Sequence, residues 1–137
     1  MKSIIVATVV DAPLERVWEC WTSPEHITKW NFASDDWECP WAENDLQVGG
    51  HFVSRMSAKD GSEGFDFNGT YTIVEPIRRI AYTIEGGREV TVTFNETDKG
   101  VEVSETFEME DENSEELQRA GWQAILNNFK LCAESAN

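Results

Sequence analysis

Basic residues are scarce in this sequence of 137 residues, which has 11 Lys and Arg against 26 Asp and Glu and a formal net charge of −15. A surface of that sign repels the phosphate backbone of nucleic acids and the anionic headgroups of lipids. We therefore expect no nucleic-acid partner and no membrane partner for this protein.

Cysteine and histidine are also rare, with three and two residues. Cys20, Cys39 and Cys132 form no CxxC pair, and an odd, widely spaced set is typical of reduced thiols in a cytosolic protein. His26 and His51 have no partner at the spacing of a zinc site. We therefore predict a cytoplasmic protein without a metal site. Because no phosphate loop or dinucleotide fingerprint occurs, we also predict no cofactor.

Long apolar runs are missing as well, and no segment approaches the roughly 18 residues of a membrane span. The run from Ile4 to Val10 is rich in β-branched residues and predicts a strand instead. Apolar residues still make up 40% of the chain, and six Trp and seven Phe provide bulk for a core. We predict one globular domain over residues 1–137.

Helix signals follow the first strand. Asp11-Ala-Pro13 ends the strand and opens a helix, and Ser23-Pro24 opens a second, short helix that reaches about Trp30. In the first of these helices one stripe is apolar and consists of Leu14, Val17, Trp18 and Trp21. The start of the chain therefore predicts a strand followed by two consecutive helices.

Residues 49 to 109 alternate between apolar and polar side chains with a period of two, which predicts a series of strands. The links between them are short and contain Gly or Pro, as in antiparallel neighbours. One face of the predicted sheet is apolar and includes Phe52, Met56, Phe65, Phe67, Tyr71, Ile73, Tyr82, Val92 and Val103. The other face carries Thr, Ser and acidic residues, so the sheet has one dry and one wet side.

The C-terminal part predicts a long helix. Asn113-Ser-Glu-Glu116 is a capping pattern, and the helix continues to about Glu134. Its apolar arc is wide and comprises Leu117, Trp122, Ile125, Leu126, Phe129, Leu131 and Cys132. We predict an α+β fold in which a curved antiparallel sheet wraps around this helix with its dry face inward.

The order of these elements resembles the helix-grip fold of the START-like (SRPBCC) superfamily. Short sequence motifs narrow the resemblance to the branch of homologues of the activator of heat-shock protein 90 ATPase, which are polyketide cyclase-like. The residues that carry it are Ala12-Pro13, Val17-Trp18, Trp30, Val48 to Phe52, Phe67 to Tyr71 and Gly121-Trp122. The resemblance implies a cavity between sheet and terminal helix that accepts a small hydrophobic molecule.

Glu105 is the clearest local anomaly, because it shares the inward phase of its strand with Val103 and Phe107. Burial would raise the pKa of its carboxyl group, which suits a general acid or base or an anchor for a ligand hydroxyl or amine. The alternative is a Glu105 that is hydrogen-bonded to Tyr82, Arg55 or a helix-end group, or turned to solvent by a bulge.

Trp37 and Trp41 lie in the irregular segment 31 to 48, where the fold leaves a mouth, and either core packing or cavity lining would suit them. The full set of candidate cavity residues is Glu105, Tyr82, Tyr71, Trp37, Trp41, Phe52, Met56, Phe67, Val92, Val103, Trp122, Ile125 and Phe129.

Three functions are compatible with these features. The first is binding of a small hydrophobic or aromatic molecule without turnover. The second is a cyclase or hydrolase reaction with Glu105 as acid or base, assisted by Tyr82 or Tyr71. The third is a chaperone-regulating interaction through the acidic surface. The sequence favours the first, because inward apolar positions are many and only one buried ionisable group is evident.

Overall fold

The computed structural model describes residues 2–135, which form an eight-stranded sheet and three α-helices. The strands are β1 (Ser3–Val10), β2 (Trp37–Glu38), β3 (Ala42–Asn44), β4 (His51–Ala58), β5 (Gly64–Glu75), β6 (Arg79–Ile84), β7 (Arg88–Thr97) and β8 (Gly100–Glu108). The helices are α1 (Leu14–Thr22), α2 (Pro24–Ile27) and α3 (Glu115–Ser135). No helix in this part of the chain combines the length and apolar character that a membrane crossing requires.

The sheet is antiparallel throughout and curls around α3, which confirms the predicted fold. Its strand order is β1-β8-β7-β6-β5-β4-β2, and β3 also pairs with β4. The strands β2 and β3 lie within the segment that the sequence predicted to be irregular. They span two and three residues, too few for an alternating pattern to be recognisable.

A β-bulge in β5 changes the face on which the second half of this strand presents its side chains. Tyr71 pairs with Tyr82, but the next pairs are Ile73 with Ala81 and Val74 with Ile80. Val74 therefore packs against the core, and the prediction that Ile73 points inward is wrong. A bulge inserts one extra residue into a strand and so shifts its alternation.

The helix α3 begins at the predicted position, where the Ser114 hydroxyl accepts a hydrogen bond from the Leu117 N–H at 3.1 Å. On its inner face Leu126, Phe129 and Ala133 are fully buried. Leu117 and Leu131 are exposed instead, so the apolar arc is narrower than predicted. Both lie outside the stripe that faces the sheet.

Polar side chains of α3 close the edge of β1. Their hydrogen bonds to backbone carbonyl oxygens measure between 2.7 and 3.2 Å. The donors are Arg119, Gln123 and Lys130, and the acceptors are the oxygens of Ile5, Ala7 and Val9. These contacts satisfy the carbonyl groups of an edge strand that would otherwise be open to pairing with another chain.

One half of the space between sheet and helix is solidly packed, and we call it the filled half. It comprises Val10, Val17, Phe94, Val101, Leu126 and Phe129, which are at most 6% exposed. Trp21 of α1 contacts both Phe94 and Phe129 edge-on, with ring centroids 5.9 and 4.8 Å apart. The Trp30 indole packs on Phe129 and donates a hydrogen bond to the Cys20 carbonyl oxygen at 2.9 Å. The helices α1 and α2 thus fill this half of the core.

Candidate ligand cavity

The other half of that space is open and contains a cavity of about 320 Å³. We call this region the open half; its central residues are Phe52, Phe67, Tyr82, Glu105, Trp122 and Ile125. Ligand pockets in proteins commonly measure roughly 300 to 1,000 Å³, so the cavity is of a size that accepts a small molecule.

Aromatic rings form much of the cavity wall and brace one another. The Phe52 ring lies 4.8 Å from Tyr82, 5.4 Å from Tyr71 and 5.8 Å from Phe67, measured between centroids. On the opposite side the Trp122 indole of α3 stacks on Phe107 at 3.9 Å with an interplanar angle of 8°. Since each ring is held by its neighbours, the wall has a defined shape.

A small residue on β4 borders the space that the rings surround, and a glycine on β5 allows one of the rings to pack closely. Ser54 lies on the inward phase of β4 between Phe52 and Met56, and it is only 3% exposed. At Gly69 a Cβ atom would lie 2.7 Å from the Phe52 ring and 2.8 Å from the Thr83 carbonyl oxygen. Glycine therefore lets Phe52 lie close against β5.

Glu105 presents the only buried carboxylate among the described residues, with 5% of its surface exposed. It lies on β8 between Val6 of β1 and Val92 of β7, and its carboxyl group lines the cavity. Within residues 2–135 this carboxyl group has no hydrogen-bond partner; Arg55, one alternative from the sequence, pairs with Asp66 at 3.1 Å instead. Burial raises the pKa of Glu105 to about 8.

The two tyrosines of the cavity differ in their hydrogen bonding. The Tyr71 hydroxyl donates to the Asn44 Oδ1 atom at 2.5 Å, and burial raises its pKa. The Tyr82 hydroxyl has no protein partner in the described part of the chain. Its pKa is raised mainly by burial and to a smaller extent by the nearby Glu105 carboxyl group. Glu105 and Tyr82 are therefore two polar groups that a bound molecule could satisfy.

Hydrogen bonds also fix the end of the cavity next to the start of α3. The Gln118 side chain donates to the carbonyl oxygens of Glu110 and Asn113 and accepts from the Glu110 N–H, at 2.8 to 3.1 Å. The Arg88 guanidinium donates to the carbonyl oxygens of Glu85 and Glu108 at 3.3 Å. Together these bonds make a polar frame at one end of an otherwise apolar space.

The structure places eight of the thirteen predicted residues on the cavity wall: Glu105, Tyr82, Tyr71, Phe52, Met56, Phe67, Trp122 and Ile125. The other five do not line it. Val92 and Val103 are fully buried beneath the wall, and Phe129 is enclosed by Trp21 and Trp30 in the filled half.

Trp37 and Trp41, the other two, do not contact the cavity themselves. Trp37 pairs with Ala58 at the end of β4, and its ring centroid lies 6.1 Å from that of Phe65, an exposed residue that does line the cavity. The Trp41 carbonyl oxygen accepts a hydrogen bond from the backbone N–H of Arg55, a residue on the outward phase of β4. The Trp41 side chain is 45% exposed. The pairing of this segment with β4 decides both positions, and the local sequence carries no sign of that pairing.

Sequence reasoning missed several wall residues. Ser54 shares the inward phase of Phe52 and Met56, and Gln118 precedes Trp122 by one helical turn. Periodicity could therefore have identified both residues as part of the wall. Trp21 and Trp30 were predicted to be packing residues only. They pack on Phe129 of the filled half, and they also line the end of the cavity that borders the filled half. Asn31, Glu43 and Asn44 come from the irregular segment, where no periodic signal exists.

No metal centre is evident, since residues 2–135 contain no group of three or more His, Cys, Asp or Glu side chains that could hold an ion. A curled antiparallel sheet that grips a long C-terminal helix around an apolar cavity defines a helix-grip protein of the START-like class.

Within that class the family follows from comparison. Residues 11–134 match the model of the family described as "Activator of Hsp90 ATPase homolog 1-like protein", and the chain belongs to this family. No curated protein matches the chain significantly.

Solved structures agree with this placement. The AHSA1-like protein from Aeromonas hydrophila is 43% identical over 98% of this chain and 93% of its own, with a TM-score of 0.92. A protein from Cytophaga hutchinsonii is 47% identical over 96% of this chain and 92% of its own, with a TM-score of 0.83. A protein from Chromobacterium violaceum is 27% identical over 99% and 100%, with a TM-score of 0.88.

Proposed function

We propose that this protein binds a small hydrophobic or aromatic molecule in the cavity between the sheet and α3, without chemical turnover. The observation that carries the proposal is the contrast between the two halves of the interior. The filled half leaves no space around Phe129, whereas the open half keeps about 320 Å³ with mostly apolar walls. Natural cores are close-packed, so a void of this size favours a ligand over imperfect packing.

A cavity-filling variant tests the proposal. Ile125 projects from α3 into the cavity, and Ile125→Trp should abolish binding of the apolar fluorescent dye N-phenyl-1-naphthylamine by occupying its space. Leu131→Trp is the matched control, because Leu131 lies on the same helix and is 65% exposed. Unchanged dye affinity in Ile125→Trp would place the binding elsewhere and overturn the proposal.

Native mass spectrometry of the freshly purified protein gives an independent test. A molecule that co-purifies with the chain should appear as added mass in the native spectrum and disappear after denaturation. The Ile125→Trp variant should lack this added mass, since its cavity is filled, and the Leu131→Trp variant should keep it.

Acid–base catalysis by Glu105 is a second candidate, favoured by the pKa of about 8. A general acid or base works best when its pKa lies near the working pH. Tyr82, which faces the same cavity, would supply a second proton-transfer group. In this case Glu105→Gln should abolish turnover of a polyketide-like substrate and preserve its binding; an unchanged rate would exclude this mechanism.

We place this binding function in the cytoplasm. Cys20, Cys39 and Cys132 are all free thiols, and burial raises the pKa of each, to about 11 for Cys39. Thiols of this kind are typical of proteins in a reducing compartment.

A further inference from the structure

Resting on the proposed function, we infer that the ligand is an organic cation: a small aromatic or apolar molecule that carries an amine, held by the Glu105 carboxylate inside the aromatic cavity. The first support is the position of Glu105, which is 5% exposed and aimed into the cavity without a partner among the described residues. A buried carboxylate without a partner is unfavourable, and an ammonium group of a ligand would supply both charge and hydrogen-bond donors.

The surrounding rings provide the second support. Trp122, Phe52 and Phe67 border the cavity together with Tyr82. Aromatic faces attract ammonium groups through their negative π-electron density, and this attraction grows when the cation is removed from water. Walls of this kind next to a carboxylate therefore suit a cation better than an anion.

The charges on the cavity wall provide the third support. Glu43 and Glu110 add two acidic groups to Glu105, and the only base among the wall residues is Arg88. The guanidinium of Arg88 is directed to the carbonyl oxygens of Glu85 and Glu108, and it does not lower the pKa of Glu105. With a net charge of −15, the whole molecule attracts cations and repels carboxylates such as fatty acids.

The size of the cavity limits the ligand. A cavity of about 150 Å³ is large enough to bind benzene, and this one measures about 320 Å³. The ligand class is therefore an amine with one or two rings, or an apolar group of similar bulk.

Binding should be coupled to proton release. Tyr82 on β6 is the titratable group that interacts with Glu105. The other titratable groups on the wall are Tyr71 on β5, Glu43, Arg88 and Glu110, while α3 contributes only uncharged side chains. With a pKa of about 8, Glu105 is about 90% protonated at pH 7. An incoming ammonium group requires the ionised form, so amine affinity should rise by about fifty-fold from pH 6 to pH 8.

Three probes with one ring system and different charges test the inference by isothermal titration calorimetry: 1-naphthylmethylamine, 1-naphthylmethanol and 1-naphthoate. At pH 8 we expect the amine to bind at least about tenfold more tightly than the alcohol, and the carboxylate to bind least. Titrations at pH 7 in buffers of different ionisation enthalpy should show release of about 0.9 proton for the amine and none for the alcohol.

The Glu105→Gln variant keeps the shape of the side chain and should lose the tenfold preference, the proton release and the pH dependence. Its matched control is Glu102→Gln, which removes the same charge from an exposed position of the same strand and should behave like the unaltered protein.

The outcomes separate this inference from the proposed function. Tighter binding of the alcohol or the carboxylate than of the amine would overturn the organic cation and leave a small-molecule cavity in place. An amine preference that persists in Glu105→Gln would also overturn it. Binding of none of the three probes would overturn the proposed function and the inference together.

Discussion

The filled half and the open half of the interior share one sheet and one helix, yet one is solid and the other holds a cavity. The same face of α3 supplies both Phe129, which is fully buried, and Trp122, which is partly exposed to the cavity. The difference lies in what else reaches the space. The helix α1 packs Trp18 and Trp21 on Phe94, whereas neither α1 nor α2 packs extensively against β5, and Ser54 of β4 and Gly69 of β5 contribute little side-chain volume to the inner surface of the sheet.

If the proposed function holds, one core serves both stability and ligand binding. Burial of large side chains in the filled half contributes to the free energy of folding. The open half gives up part of that burial and includes a carboxyl group that burial disfavours in its charged form. Tight packing is therefore concentrated around the C-terminal half of α3, and the proposed binding site lies around its N-terminal half.

The largest effect is expected from Phe129→Ala, which removes a fully buried ring from between Trp21 and Trp30. The free energy of unfolding should fall by about 3 to 5 kcal/mol, measured by urea denaturation. Ile125→Ala should cost less, about 1 to 2 kcal/mol, because Ile125 already borders a void. Equal losses at the two positions would remove the distinction between the halves.

The next effect concerns pH and Glu105. The unfolded pKa is 4.5 and the folded pKa about 8, so between these values the folded state binds one proton more than the unfolded state. The contribution of Glu105 to stability should therefore be greatest below pH 4.5 and fall as pH rises through this window, by about 2 to 3 kcal/mol from pH 5.5 to pH 7.5. Glu105→Gln should abolish this contribution.

The contribution of Glu105 is measured by urea denaturation at several pH values, as the difference in the free energy of unfolding between the unaltered protein and Glu105→Gln. The titration of all other groups cancels in this difference. Glu102→Gln is again the control, because Glu102 is exposed on β8. A pH-independent difference between the protein and Glu105→Gln would mean that Glu105 is ionised and solvated in the folded state.

The smallest effect distinguishes the two cavity tyrosines. Tyr71→Phe removes a buried hydrogen bond to Asn44 and should lower the free energy of unfolding by about 1 kcal/mol. Tyr82→Phe removes a hydroxyl that has no protein partner among residues 2–135 and should change stability by less than about 0.5 kcal/mol. Thermal denaturation followed by circular dichroism resolves the two, and a greater loss for Tyr82→Phe would indicate an internal bond to Glu105.

Much of the fold could be predicted because its signals are local. Alternation along β4, β7 and β8 placed Phe52, Val92 and Glu105 on the inner face, and the Ser114 cap marked the start of α3. The candidate site was predicted only where it depends on this periodicity. Ile73 was misplaced by a bulge, and Trp37 and Trp41 by strand pairings two and three residues long.

Local patterns along the chain specify the antiparallel sheet, the long C-terminal helix and the inward direction of the Glu105 side chain, because the periods of strand and helix fix which side chains share a face. Long-range packing, in contrast, determines that α1 fills one half of the interior and that a cavity remains in the other. Whether a space is filled depends on the volumes of side chains that meet from elements far apart in the chain, and no local pattern records that sum.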